Sequence, residues 1–136
     1  MKKIGFGLLA GLLMLGMGVF IGEVFLFFFP SIKSEYENPS LFRPWSDPIM
    51  SIYYVVPFLE GVILAWIWVY TKKLFTAKNM LLNGLFFGLI YGFFSIPGML
   101  MSYSSFPLSG VIVISWSVTT LFQGICAGIL FSKTLN

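Results

Sequence analysis

Four stretches of this chain, residues 4–29, 49–70, 80–101 and 108–131, are almost free of charge, and each reaches the roughly 20 residues that an α-helix needs to cross about 30 Å of hydrocarbon. A chain of 136 residues that is 58% hydrophobic and 10% charged has too much apolar surface to hide in a soluble core. The blocks read as four transmembrane helices, because lipid offers the backbone no hydrogen-bond partners outside the segment itself. The first block follows Lys2 and Lys3 as a secretory signal would. Its apolar run is too long for one, and no small-x-small cleavage site follows, so a retained first span is expected.

Composition removes most catalytic chemistry. Histidine is absent, which excludes Ser-His-Asp and Cys-His catalysis, His-based zinc sites and His-held haem. The one cysteine, Cys126, lies in an apolar block and reads as a small hydrophobe. Five Asp and Glu residues are too few and too scattered for a carboxylate metal cage. No enzyme activity, cofactor or metal is therefore expected. Nor is a nucleic-acid partner, because the net charge of +3 is distributed as membrane topology would place it.

Lys2, Lys3, Lys72, Lys73, Lys78 and Lys133 fall at one end of the four spans, and only Lys33 and Arg43 at the other. By the positive-inside rule the six face the cytoplasm, together with both termini. The outer loop, residues 31–47, is the one sizeable polar segment. Its Asn38-Pro39, Arg43-Pro44-Trp45 and Ser46-Asp47-Pro48 read as turns and extended chain, with Asp47 capping the second span. Tyr36, Phe42 and Trp45 read as an interfacial aromatic belt in preference to a ligand lid. Arg43 is expected in solvent, with Glu23 as a second partner within its reach. Pro57 and Pro97-Gly98 mark kinks.

Glycine stripes and an internal repeat organise the spans. Gly7, Gly11, Gly18 and Gly22 share one side of the first, which permits close helix approach, while Glu23 shares another side with Gly5 and Gly16. Gly7 to Leu12 aligns with Gly84 to Leu89, and Phe29-Pro30 with Phe106-Pro107, at an offset of 77. Phe58 to Ala65 aligns with Leu121 to Gly128 at an offset of 63, the long outer loop absorbing the 14-residue difference. The expected fold is an all-α membrane protein: a single four-transmembrane-helix domain built from two parallel helical-hairpin repeats.

The segment Asn83 to Gly92, Pro97, Tyr103, Phe106-Pro107-Leu108, Trp116 and the Gly124 to Lys133 ending resemble a group of small four-span bacterial membrane proteins. Leu41-Phe42-Arg43-Pro44 is similar to a Leu-Trp-Arg-Pro element of that group, with Phe at position 42 in place of Trp. The resemblance implies a bacterial inner-membrane protein of the same architecture and brings no activity with it.

The candidate site is the set of intramembrane polar residues Glu60, Gln123 and Glu23. Glu60 follows Pro48 by twelve residues, about 18 Å of helix, and so lies near the middle of the hydrocarbon. The repeat makes Glu60 and Gln123 equivalent, each beside a small-xxx-small pair suited to tight contact: Gly61 with Ala65, and Gly124 with Gly128. One reading is a polar clasp in which neutral Glu60 bonds Gln123. The other is a proton- or cation-binding Glu60 with Glu23 about 8 Å nearer the outside. The first makes the chain a non-enzymatic helix-bundle module or accessory subunit. The second makes it an oligomeric proton- or cation-coupled transporter. A membrane enzyme acting on lipids or quinones ranks last, for want of a nucleophile or metal near the acid. The partners expected are the lipid bilayer and either further copies of the chain or another membrane protein.

Overall fold

Each apolar block folds as one long helix in the computed structural model, which describes residues 1–135. The helices are α1 (Lys2–Phe28), α3 (Ile52–Thr71), α4 (Met80–Ser105) and α5 (Gly110–Thr134), with a short α2 (Ser31–Tyr36) in the loop after α1. A 3₁₀ turn, Pro48–Ser51, leads into α3 and another, Lys72–Leu74, leads out of it. With those turns included, all four long segments are long and apolar enough to cross a membrane.

Local chemistry sets the helix starts. The side chains of Asp47, Asn79 and Ser109 accept hydrogen bonds from the amides of Ile49, Leu81 and Ile112, which satisfies N–H groups that lack an intrahelical partner. Pro57 and Pro97 lie inside continuous helices. The third long segment, α4, begins where expected but runs to Ser105 rather than stopping near 101. Ser102 and Ser104 there donate their hydroxyls back to the carbonyls of Gly98 and Met101, so polar residues stay helical without exposing their own donors.

Glycines bring the helices together. α1 packs antiparallel on α3: a Cβ on Gly7 would lie 2.6 Å from the Val62 backbone, and one on Gly11 2.5 Å from the Phe58 backbone. α4 packs on α5 in the same manner, Gly84 against Gly128 and Ile129, and Gly88 against Gly124 and Ile125. α1 also lies along α5, joining the two hairpins, whereas α3 and α4 meet mainly through large side chains.

The core sits toward the lysine-rich end. Trp68 stacks on Phe75 at 5.5 Å and meets Phe87 edge-on at 5.3 Å, and Phe87 in turn meets Phe131. Ala10, Met14, Ala65 and Ala127 are fully enclosed around them. Elsewhere the helices show large apolar side chains outward, Phe27 at 78% and Phe94 at 81% exposure among them, as a surface solvated by lipid tails allows.

The outer loop is more ordered than its turn chemistry implies. Ile32 of α2 is buried, the Glu35 carboxylate accepts a 2.9 Å hydrogen bond from the Ser109 amide, and the Trp116 indole N–H donates to the Tyr36 hydroxyl at 3.0 Å. Phe42 packs on both Tyr36 and Trp116. These residues latch the loop onto the first two turns of α5. Burial raises the Tyr36 hydroxyl above its ordinary pKa, against the opposing effect of the Trp116 hydrogen bond. Trp45 instead packs with Tyr53 and Tyr54 at the start of α3 and stays largely exposed. Arg43 pairs with Asp47 at 3.0 Å.

Candidate functional site

The depth of each midplane polar residue follows from the glycine contacts. Gly7 meets Val62 and Gly11 meets Phe58, so Glu60 is level with residue 9 of α1. Gln123 reaches α1 between Met14 and Gly18. The two expected clasp partners are thus separated by about 10 Å along α1, seven residues at ~1.5 Å each. No hydrogen bond joins them among the described residues. The direct Glu60–Gln123 clasp does not form, because both helices that carry these residues pack against α1 at different heights.

Each of the two residues reaches the other hairpin instead. The Gln123 side-chain amide donates to the Met14 carbonyl at 2.8 Å. That carbonyl already serves its own helix, and its second lone pair accepts the additional bond. Gly18 makes this geometry accessible: a Cβ there would lie 3.0 Å from the amide nitrogen of Gln123. Glu60, half-buried on α3, faces the phenol of Tyr91 on α4, with no direct hydrogen bond between them among the described residues. Met14 and Tyr91 are 77 residues apart, the offset at which α1 aligns with α4. Two residues matched at one offset therefore contact two positions matched at the other.

The small residues take different parts. Gly61 fits between the Gly7 carbonyl and the Gly11 amide, and Gly128 between the Gly84 carbonyl and the Gly88 amide. Gly124 lies a turn away and seats the Tyr91 ring, 2.5 Å from where its Cβ would be. Ala65 is fully buried. Glu23 stands apart from the site: it is exposed, and it lies 14 residues toward the loop end from the level of Glu60, about 21 Å along α1 rather than 8 Å.

Tyr91 is the residue that the sequence places on the glycine-rich face of α4 without revealing its role. Its position three residues after Gly88 puts it beside that glycine seam, but the direction of its hydroxyl depends on how the hairpins dock. The Met14 carbonyl is a backbone group and leaves no mark in the sequence at all. Chemically, the arrangement offers a carboxyl and a phenol that can share a proton in a water-poor setting, and an amide that fixes one helix to another. Comparison with known protein-family models, with curated proteins and with solved structures finds no match for this chain.

Proposed function

We propose that this protein is a non-enzymatic membrane module, a single four-span domain of two parallel hairpin repeats whose midplane polar residues hold the repeats together. The observation that carries this reading is the crossed pairing: Gln123 of the second hairpin bonds Met14 of the first, and Glu60 of the first faces Tyr91 of the second. A polar side chain buried in lipid is costly unless paired, and both find their partners across the same seam. The six lysines at one end favour cytoplasmic termini. The resemblance to small four-span proteins supports a bacterial inner membrane as its location. In this role the module presents its apolar flanks to a further copy or to another membrane protein.

A second reading is favoured by the placement of Glu60 on the side where α3 and α4 meet through side chains alone, which gives an oligomer room for a proton- or cation-coupled path. Glu60→Gln separates the two. For a clasp, the variant stays folded in detergent and its helix content and melting are close to wild type, since Gln can still face the Tyr91 hydroxyl. For a transporter, proton-coupled uptake or efflux in reconstituted vesicles is present in wild type and lost in the variant. Coupled flux in wild-type vesicles that disappears in Glu60→Gln overturns the module reading.

A further inference from the structure

A groove of about 560 Å³ runs along the outward face of α3, lined by Val62, Ile63, Trp66, Ile67, Tyr70 and Thr71. These six span ten residues of helix, or about 15 Å at ~1.5 Å per residue, close to half of a ~30 Å hydrocarbon core. The groove is therefore as deep as one leaflet. Its lining is almost wholly apolar: the Thr71 hydroxyl is turned back onto the Ile67 carbonyl at 2.7 Å, which leaves the Tyr70 phenol and the Trp66 indole N–H as its polar groups.

The mouth of the groove is marked by a fixed positive charge. The Lys3 ammonium lies over the Trp66 ring at 4.5 Å from its centroid and over Tyr70 at 5.4 Å, and Trp66 and Tyr70 themselves stack. Cation–π attraction of this kind holds a lysine against rings that would otherwise face lipid alone. Six lysines flank the helix ends here, whereas Glu23, Glu35, Glu37 and Asp47 lie toward the other end and Glu60 lies six residues deeper along α1 than Lys3, about 9 Å. Among the described residues no Asp or Glu pairs with Lys3, and the side-chain cation beside it on its own helix is Lys2.

We infer that this groove is a binding site for an anionic phospholipid of the leaflet at the lysine-rich end, one acyl chain lying along Ile63 and Ile67 and the phosphate resting on Lys3 above Trp66 and Tyr70. Charge complementarity selects the headgroup, and the depth of the groove selects a chain over a free anion. Glu60 does not line the groove but stands one turn beyond it, three residues before Ile63, and the site does not depend on the role assigned to the Glu60–Tyr91 pair.

The test uses the full chain in phosphatidylcholine vesicles containing phosphatidylglycerol, with a dibrominated acyl chain placed on one lipid or the other, and reads quenching of tryptophan fluorescence. A lysine near the bilayer surface contributes enough to favour the anionic lipid about five-fold. Wild type is expected to show that preference for phosphatidylglycerol at the quenched site. Trp66→Phe is expected to remove the headgroup-dependent part of the quenching, Lys3→Gln to bring the preference below about two-fold, and Lys2→Gln to leave most of it. Equal quenching by both lipids in wild type overturns the site, and so does headgroup-dependent quenching that survives Trp66→Phe. Equal losses in Lys2→Gln and Lys3→Gln would mean a diffuse surface charge and also overturn it. The wild-type measurement and Trp66→Phe stand even if Lys3→Gln fails to fold.

Discussion

The two hairpins close by one device and differ in what they place beside it. In α1–α3, Gly61 sits between Gly7 and Gly11; in α4–α5, Gly128 sits between Gly84 and Gly88. One turn away from that contact the second hairpin has Gly124, which seats Tyr91, whereas the first has Pro57, whose carbonyl lies against Gly11. The second hairpin thus has a pocket for an aromatic ring that the first lacks, and through that ring it reaches Glu60. The first hairpin offers a bare carbonyl at Met14, the position aligned with Tyr91, and receives Gln123. Backbone contact is what the halves share, and polar contact is what distinguishes them.

Breaking the shared device should have the largest effect. Gly61→Leu and Gly128→Leu each force a side chain into the backbone of the facing helix, and overpacking of this kind costs about 1–3 kcal/mol or more. Both are expected to lower the thermal midpoint in detergent by similar amounts, while Gly16→Leu, with nothing near its added Cβ, leaves it unchanged. If one hairpin tolerates the change, the seams are not equivalent. A smaller loss is expected when the latch that only the first connection possesses is cut. Trp116→Phe removes the hydrogen bond to Tyr36 at a cost of about 0.5–1.5 kcal/mol, and protease cleavage of the 31–47 loop should speed up before the helices melt.

Smaller again is the cost of the crossed polar contacts. Gln123→Leu should cost about 0.6 kcal/mol, the mean for hydrogen bonds between helices in lipid, and Tyr91→Phe, which removes no direct hydrogen bond, less than that, as read by unfolding in mixed micelles. A much larger loss for Tyr91→Phe would show that Glu60 relies on that phenol more than α1 relies on Gln123. The smallest effect belongs to Asp47. The Ile49 amide, and then Arg43, hold its carboxyl below the ordinary carboxylate value. A folded pKa that is lowered gives stabilisation that is full above the unfolded value of about 3.9 and is lost as pH falls through the folded one. The Ile49 amide resonance should titrate with a midpoint below that of a free aspartate, and Asp47→Asn should abolish the titration.

The long helices are legible because block length and hydropathy alone mark them out: α4 begins at Met80, where its block begins. The glycine seams are legible too, since Gly7, Gly11, Gly84 and Gly88 lie one turn apart and no other residue type lets backbones meet so closely. Partner choice is not legible. Offsets of 77 and 63 align Glu60 with Gln123 in sequence, but the glycine contacts match Gly61 with Gly128, an offset of 67 and so one turn away, because the height at which each helix docks is not encoded by residue spacing within it. The α2 latch is hidden for a related reason. Ser31 to Tyr36 is too short to show helical periodicity, and its partners Ser109 and Trp116 lie more than 70 residues away.

The hydrogen bonds that link distant parts of the described chain share one participant. Lys72 donates to Leu135, Ser109 to Glu35, Trp116 to Tyr36 and Gln123 to Met14, and in every case one partner lies on α5 or at its caps. α5 leaves the ribosome after α1 to α4. Until it inserts, the first hairpin has only its glycine contact to hold it, and Glu35, Tyr36 and Lys72 wait without these partners. Arrival of α5 completes all four links at once, so a chain stalled before Ser109 would present a half-assembled bundle with these polar groups unclaimed, the kind of intermediate that membrane proteases and insertases distinguish from an assembled one.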